Sequence, residues 1–377
     1  DFGNILTEKA APYSATEFLG KTYTYDTDNR YLKTVTDALG RTTTTLSYDK
    51  YGNPLSVMDF LQHTTNYTYD NLGRAVITNY PDDVTKSNIY TWSNVKGSYL
   101  HTQTVTGKPQ LRTFYDALNR EIRNGDQRFD GTWRYIDTEY DRYGRLKRTS
   151  LPFKGNDPTL WNTYTYDEYD RTISLIEASG KTTTTSYNGR SITVVSENIS
   201  TTRTYDESGK LVAATDPGGS ISYIYRPDGQ LKQIIAPDNI ITSFEYDSYG
   251  RQTKLIDPSA GTQTYSESYS GNIRTITQTN ANNKTITSVF DKYGRITSKS
   301  CPEFTTNYSY DPVTKQLASA TSTNFVRSYI YDDYGRVKED YEKGEDSDIF
   351  LRREYSYANG NCTKIKYHPS AMPVIEE

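Results

Sequence analysis

The feature that most constrains this chain is a turn sequence that returns every twenty or so residues. In its fullest form it reads Tyr-Asp-x-x-Gly-Arg, at residues 69–74, 140–145, 246–251 and 331–336. Related copies begin at Tyr25, Tyr48, Tyr115, Tyr166, Tyr205, Phe290 and Tyr310. Degenerate ones begin at Tyr90, Tyr187, Tyr225, Tyr269 and Tyr357. Sixteen lead aromatics run from Tyr25 to Tyr357, so fifteen intervals give a mean spacing of about 22 residues. A unit that short cannot bury a face by itself. It has to stack on its neighbours, and the repeat therefore decides the fold before any single residue does.

Each copy has a physical logic. The Asp after the lead Tyr accepts backbone N–H groups and closes an Asx-type turn. The Gly three residues later supplies the positive φ that a four-residue hairpin loop commonly requires, and Asn119 and Asp170 take that slot in two copies. Tyr69, Asp70, Gly73 and Arg74 are thus read as structural turn residues. So are Tyr140, Asp141, Gly144, Arg145, Tyr246, Asp247, Gly250, Arg251, Tyr331, Asp332, Gly335 and Arg336. A second turn follows midway, as in DALG at 37–40, EASG at 177–180 and DPGG at 216–219. The chain then returns through a Thr/Tyr-rich strand, so one copy encodes two short antiparallel strands and two turns.

The returning strand alternates with period two. Aromatic pairs such as Tyr67 and Tyr69, Tyr164 and Tyr166, or Tyr329 and Tyr331 share one face, with Thr, Ser or Ile between them on the other. Stacked copies would place these rings in ladders, each cross-strand pair contributing roughly 0.2–1 kcal/mol. This explains a composition that otherwise looks close to disordered. The mean hydropathy is −0.81, and hydrophobic residues make up 34% of the chain, with 36 Tyr against 11 Phe. The excess of Tyr over Phe means that the hydroxyls meet water or polar partners. No helical periodicity of useful length occurs, and the chain reads as all-β.

The repeated turn and its DxxGxTTxxYxYD-like returns resemble the RHS/YD-repeat family. That family comprises bacterial Rhs proteins, the B and C components of Tc insecticidal toxin complexes and the YD shells of animal teneurins. The resemblance covers essentially the whole chain, and the block LPFKGNDPTLWNTYTYDEYDR at 151–171 also looks like a stretch of bacterial members. It implies tandem antiparallel hairpins in a continuous, spiralling, hollow sheet that encloses a C-terminal effector. It also implies a secreted or cell-surface location. The implied partner is the remainder of a longer polypeptide, toxin cargo included. The Asp-Pro pairs at Asp157, Asp216, Asp257 and Asp311 do not extend into the family's DPxGxxxxxN self-cleavage motif. DFGN at 1–4 reads as the second half of a turn, and AMPVIEE follows the last copy, so a fragment of a longer chain is expected.

The whole of 1–377 reads as one repeat array, with irregular inserts near 91–112, 122–139 and 151–162 and no separate second domain. Two strands per copy give about 32 strands at roughly 4.8 Å spacing, a ring about 50 Å across but only ~20 Å tall. Such a ring is a wall segment, too short to enclose a folded cargo. A β-propeller of eight four-stranded blades is the alternative fold. It requires a 44-residue super-period that the copies do not show.

Several functions fall away. The many Asp residues invite a glycosidase reading, but a catalytic pair sits at an exceptional position whereas these carboxylates recur in every copy. The Arg after the Gly, as in Arg74, Arg145, Arg251, Arg295 and Arg336, is expected to pair with a neighbouring copy's Asp or to stack on a Tyr. His63, His101 and His368 match no metal spacing, Cys301 and Cys362 form no metal knuckle, and no nucleophile or phosphate-loop motif occurs. No catalytic residue, cofactor or metal is expected, and the chain is not read as an enzyme. A net charge of −4 and a pI of about 5.6 argue against a nucleic-acid partner. No apolar run is long enough to span a membrane. Trp92, Trp133 and Trp161 lie in or beside the inserts, where they either plug and cover the sheet or stack on a sugar ring. A carbohydrate- or surface-protein-binding module is accordingly the alternative to a structural shell.

Overall fold

The computed structural model describes residues 3–14, 17–323, 325–344 and 350–369. The first two residues and the AMPVIEE segment, on which the fragment expectation rested, lie outside that set. Thirty-three strands occur among the described residues, from Thr7–Ser14 to Asn361–Pro369, with no α-helix and one short 3-10 turn at Pro237–Asn239. The chain divides into two compact units. The first combines residues 1–87 with 264–377, and the second spans 88–263.

Within each unit the strands pair antiparallel with their chain neighbours. In the first unit the meander Glu17–Tyr25, Leu32–Thr36, Thr42–Tyr48, Pro54–Met58, Thr64–Tyr69, Ala75–Asn79 is continuous. The later meander from Ile273–Thr279 to Asn361–Pro369 has the same form. The second unit runs likewise from Tyr99–Val105 to Gln252–Asp257. The Thr-rich strands explain themselves here: facing hydroxyls pair across strands, as in Thr24 with Thr34 and Thr193 with Thr202.

One irregularity recurs. The ladder slips by one residue at the lead Tyr, between Thr68 and Tyr69, Thr165 and Tyr166, or Ile330 and Tyr331. A bulge beside a type I turn with a left-handed third residue is the standard three-residue hairpin, one residue tighter than the four-residue loop expected from the spacing.

Hardly anything is fully buried. Among the described residues, Phe114 is the only apolar side chain that the fold buries. Most strand positions are half-buried on both faces, so stability comes from many partial contacts. Thr78, Arg123, Asp137, Ser150 and Asp340 are the buried polar residues.

In the first unit a late turn packs onto early ones. Tyr334 stacks on His63 with ring centroids 4.5 Å apart. Its hydroxyl donates to the Pro81 carbonyl at 3.2 Å, and Arg336 reaches Asp82 at 3.3 Å. A Cβ at Gly335, already at positive φ, would sit 3.3 Å from a Leu61 methyl, which shows how closely the two edges approach.

Candidate functional site

The repeat turn is a closed hydrogen-bond device. In residues 70–74 the Asp70 N–H donates to the Arg74 carbonyl and the Gly73 N–H to the Asp70 carbonyl, both at 3.0 Å. One Asp70 oxygen accepts the Leu72 and Arg74 N–H groups at 2.9 and 3.0 Å, and the other takes Arg74 Nε at 2.7 Å. Residues 141–145, 247–251 and 332–336 repeat this set with Asp141 and Arg145, Asp247 and Arg251, Asp332 and Arg336. Gly73 has φ 76°, while Asn119 and Asp170 adopt 62° and 64° in the same slot. The Arg74 N–H, with help from its guanidinium, holds the Asp70 carboxyl below its ordinary value, and Arg251 does the same for Asp247.

The Arg therefore pairs with its own turn's Asp, where a neighbouring copy's Asp or a Tyr ring was expected. A three-residue loop brings positions i and i+4 side by side, so the guanidinium meets its own turn's Asp in every full copy. Its guanidinium then lies over the next copy's lead ring: Arg120 over Tyr140 at 4.5 Å, Arg145 over Tyr166 at 4.7 Å and Arg336 over Tyr357 at 4.4 Å. Arg145 also reaches Asp170 of the following turn at 2.6 Å.

The lead hydroxyl completes the link. Tyr69 donates to the Pro54 carbonyl, Tyr140 to Glu121, Tyr246 to Leu231 and Tyr331 to Leu317, at 2.6–2.9 Å. Each acceptor lies at the start of the preceding copy's outgoing strand. This is the physical reason for Tyr over Phe: in most copies a half-buried carbonyl is satisfied by a ring that also packs, although the Tyr48 hydroxyl is buried without a partner. Partial desolvation raises the phenol pKa at Tyr69, Tyr140, Tyr166 and Tyr331.

The three irregular inserts meet in the second unit. Arg123 and Asp137 face each other across strands Glu121–Gln127 and Trp133–Tyr140. They form a two-pronged ion pair at 2.5 and 2.9 Å, with Asp137 only 1% exposed. Lys96, from the first insert, binds the same carboxylate. The Asp137 N–H donates to the Ser150 hydroxyl, and Arg123 donates to the Asn156 carbonyl at 2.6 Å. The third insert folds over this cluster through a lone antiparallel bridge between Tyr135 and Phe153, and Arg123 sits 5.0 and 5.2 Å from those two rings. Each charge in this buried cluster has a partner. It is a latch tying three insertions together, with no free valence for a substrate.

The tryptophans separate. Trp133 joins the latch, stacked on Tyr135 at 5.8 Å and covered by the Arg112 guanidinium at 4.1 Å. Trp161 is covered by Arg148 at 4.0 Å. Trp92 stands 87% exposed.

A second buried acid had no motif to announce it. Asp340, in the first unit, accepts from Arg353 at 2.8 and 2.5 Å, Arg327 at 3.0 Å and Tyr355 at 3.2 Å. Glu342 shares both arginines. Burial works to raise the Asp340 carboxyl, but the bonds from Arg353 and Arg327 outweigh it and hold it low. The one available signal was charge in place of Thr and Tyr in strands Val337–Gly344 and Phe350–Ala358. Among the described residues no group of His, Cys, Asp and Glu is placed to hold a metal ion. No helix there is long and apolar enough to cross a membrane.

Comparison with known proteins agrees with this architecture. The Teneurin YD-shell family model matches residues 134–303. The tRNA3(Ser)-specific nuclease WapA of Bacillus spizizenii is 28% identical over 195 residues, which is 50% of this chain and only 8% of that protein. The crystal structure of TcdB2-TccC3 superposes on 97% of this chain with a TM-score of 0.53 at 14% identity, using 33% of its own chain. The TcdB2-TccC3-Cdc42 structure gives 0.51 at 13% identity, again over 97% of this chain and 35% of its own. This chain thus spans about a third of the structures it resembles and a small part of WapA. Residues 134–303 thus match the Teneurin YD-shell model, and the repeat turns and antiparallel hairpins of the whole chain are similar to those of the RHS/YD-repeat family.

Proposed function

We propose that residues 1–377 are one repeat array that acts as a wall segment of a shell. The shell would belong to a larger secreted or surface protein and help to enclose or deliver an effector polypeptide. The observation that carries this reading is the edge-to-edge packing of Tyr334 and Arg336 onto His63, Pro81 and Asp82, across more than 250 residues of sequence. A ribbon whose late turns seat on its early turns has the construction a wall requires. The near absence of fully buried side chains supports the same view, because a sheet half-exposed on both faces suits a partition better than a solid globule. The role proposed is structural, with catalysis left to other parts of such proteins. The nuclease WapA is matched over only 8% of its length. A secreted or surface location rests on the similarity to the YD-shell family.

Small-angle X-ray scattering of the chain tests the wall reading. A pair-distance distribution skewed to long distances, as a hollow or open wall gives, is expected, and the curve of a compact solid globule would refute it. The alternative, a glycan-binding module, narrows to Trp92, because the Trp133 and Trp161 rings are already covered by arginines. A glycan array probed with the wild-type chain and Trp92→Ala decides it: binding that disappears in the variant would support recognition, and a blank array removes it.

A further inference from the structure

The turns differ in what their second loop residue touches. In residues 332–336 that residue is Tyr334, whose ring and hydroxyl meet His63 and Pro81 while Arg336 meets Asp82. In the second unit the equivalent residues are Tyr143, Tyr169 and Tyr249, exposed by 65%, 70% and 82% against 41% for Tyr334. Each is followed two positions later by the same arginine, Arg145, Arg171 or Arg251, held in the same turn by Asp141, Asp167 or Asp247. The tips are therefore presented rigidly. Successive turns are also tied sideways through Arg145 and Asp170. Tyr143 and Tyr169 thus stand on consecutive tied turns, and Tyr249 repeats the arrangement farther along the same unit, beyond turns whose tips are Ser208 and Asp228.

The same unit carries the matching half. Tyr334 and Arg336 are received by a Pro-Asp dipeptide, Pro81 and Asp82, in a three-residue loop between strands. Pro237 and Asp238 repeat that dipeptide in a loop of the same length between Leu231–Ala236 and Ile240–Tyr246. Both are exposed. The left-handed residue is Asp83 in the first loop and Asp238 with Asn239 in the second. The Pro237 carbonyl accepts the Ile240 N–H and keeps a second lone pair for a phenol, and the carboxylate offers a partner for a guanidinium.

We propose that the tips Tyr143, Tyr169 and Tyr249 form an edge-docking surface for a second copy of this chain, gripped through the Pro237 and Asp238 turn of that copy. Donor and acceptor edges differ, so the contact is head-to-tail and extends with concentration instead of closing as a two-fold dimer. It goes beyond the wall reading and needs no cargo.

Sedimentation velocity of the intact chain tests it. Over about 1 to 300 μM the wild type is expected to show a rising sedimentation coefficient, from contacts of roughly 10–100 μM affinity. The triple variant Tyr143→Ser, Tyr169→Ser, Tyr249→Ser is expected to weaken association at least about tenfold, with an unchanged melting curve because the tips are exposed. Asp238→Asn keeps a residue that tolerates the local φ of 63° while removing the charge, and is expected to weaken association as well. Tyr51→Ser, at a tip that Asn53 follows in place of Arg, is expected to leave it unchanged. A wild type that stays monomeric throughout overturns the proposal. So does a triple variant or an Asp238→Asn chain that associates as the wild type does.

Discussion

The regular copies and the latch of the second unit hold the chain together in opposite ways. In the regular copies each link is small and repeated. A carboxylate closes a turn, a guanidinium covers the next ring, and a phenol satisfies a carbonyl on the preceding strand. In the latch one buried carboxylate, Asp137, serves Arg123 and Lys96 together, with Ser150, Asn156 and Phe153 closing around it. The difference teaches where the molecule is fragile. A repeat array distributes its stability among nearest neighbours, so one lost link weakens one interface. A buried ion cluster concentrates it, because removing one partner strands the others away from water.

The sharpest way to break this contrast is Asp137→Ala. It leaves Arg123 and Lys96 without their counter-charge, and a loss of about 3–5 kcal/mol is expected in urea unfolding. Replacing Asp141 by Ala, in a solvent-exposed turn, should cost distinctly less in the same experiment. Equal losses would mean that the latch is no more than another turn.

Changing pH acts on all regular links at once. The turn carboxylates of Asp70, Asp141 and Asp247 are held below their unfolded value. They therefore contribute stability above an unfolded pKa of about 3.9, and lose it as pH falls through the lower folded value. The lead phenols of Tyr69, Tyr140, Tyr166 and Tyr331 are raised. Their contribution is complete below about pH 10 and is lost as pH climbs through the higher folded value. Thermal melts between these limits should be nearly flat. Falling melting temperatures are expected outside them, with the alkaline arm coinciding with tyrosinate absorbance. A steep fall between pH 5 and 8 would contradict this assignment.

Single links measure the smaller scale. Tyr166→Phe removes the bond to the Leu146 carbonyl at 2.7 Å and should cost about 0.5–1.5 kcal/mol. Phe290 is the lead position that lacks a hydroxyl, and it faces Arg274, so the equivalent carbonyl is that of Thr275. Phe290→Tyr should therefore stabilise by up to about 1 kcal/mol. A destabilised Phe290→Tyr would show that the hydroxyl finds no carbonyl there. The smallest effect is expected at Trp92, whose replacement by Ala should change stability by less than about 0.5 kcal/mol.

The parts of the molecule that were legible in sequence are those whose partners lie close in the chain or recur with the repeat. The turn at 70–74 could be read because its donors and acceptors fall within five residues. The period-two aromatics gave the sheet. The phenol acceptors were foreseeable as a class, and the repeat fixes which carbonyl is reached. The turn Arg stacks on the next copy's ring, as one of its two expected roles had it. Its pairing with its own turn's Asp was not foreseen, because the loop is one residue tighter than expected. The latch was illegible. Lys96 and Asp137 are 41 residues apart, and nothing in 91–112 or 122–139 marks either as inward-facing. Trp133 and Trp161 were left between covering the sheet and stacking on a sugar, because their covering arginines lie on other strands, Arg148 on the adjacent one and Arg112 two strands away.

By itself the sequence determined the unit: two strands, two turns, a Tyr-led ladder and a chain of about sixteen such copies. It could do so because hairpin geometry is local, set by hydrogen bonds that close within a few residues. The tertiary structure alone decided which irregularities matter. It turned three inserts into one buried cluster, placed Asp340 between two arginines, and seated Tyr334 on residues more than 250 positions earlier. Those contacts depend on where strands far apart in sequence come to lie, and no local pattern encodes that.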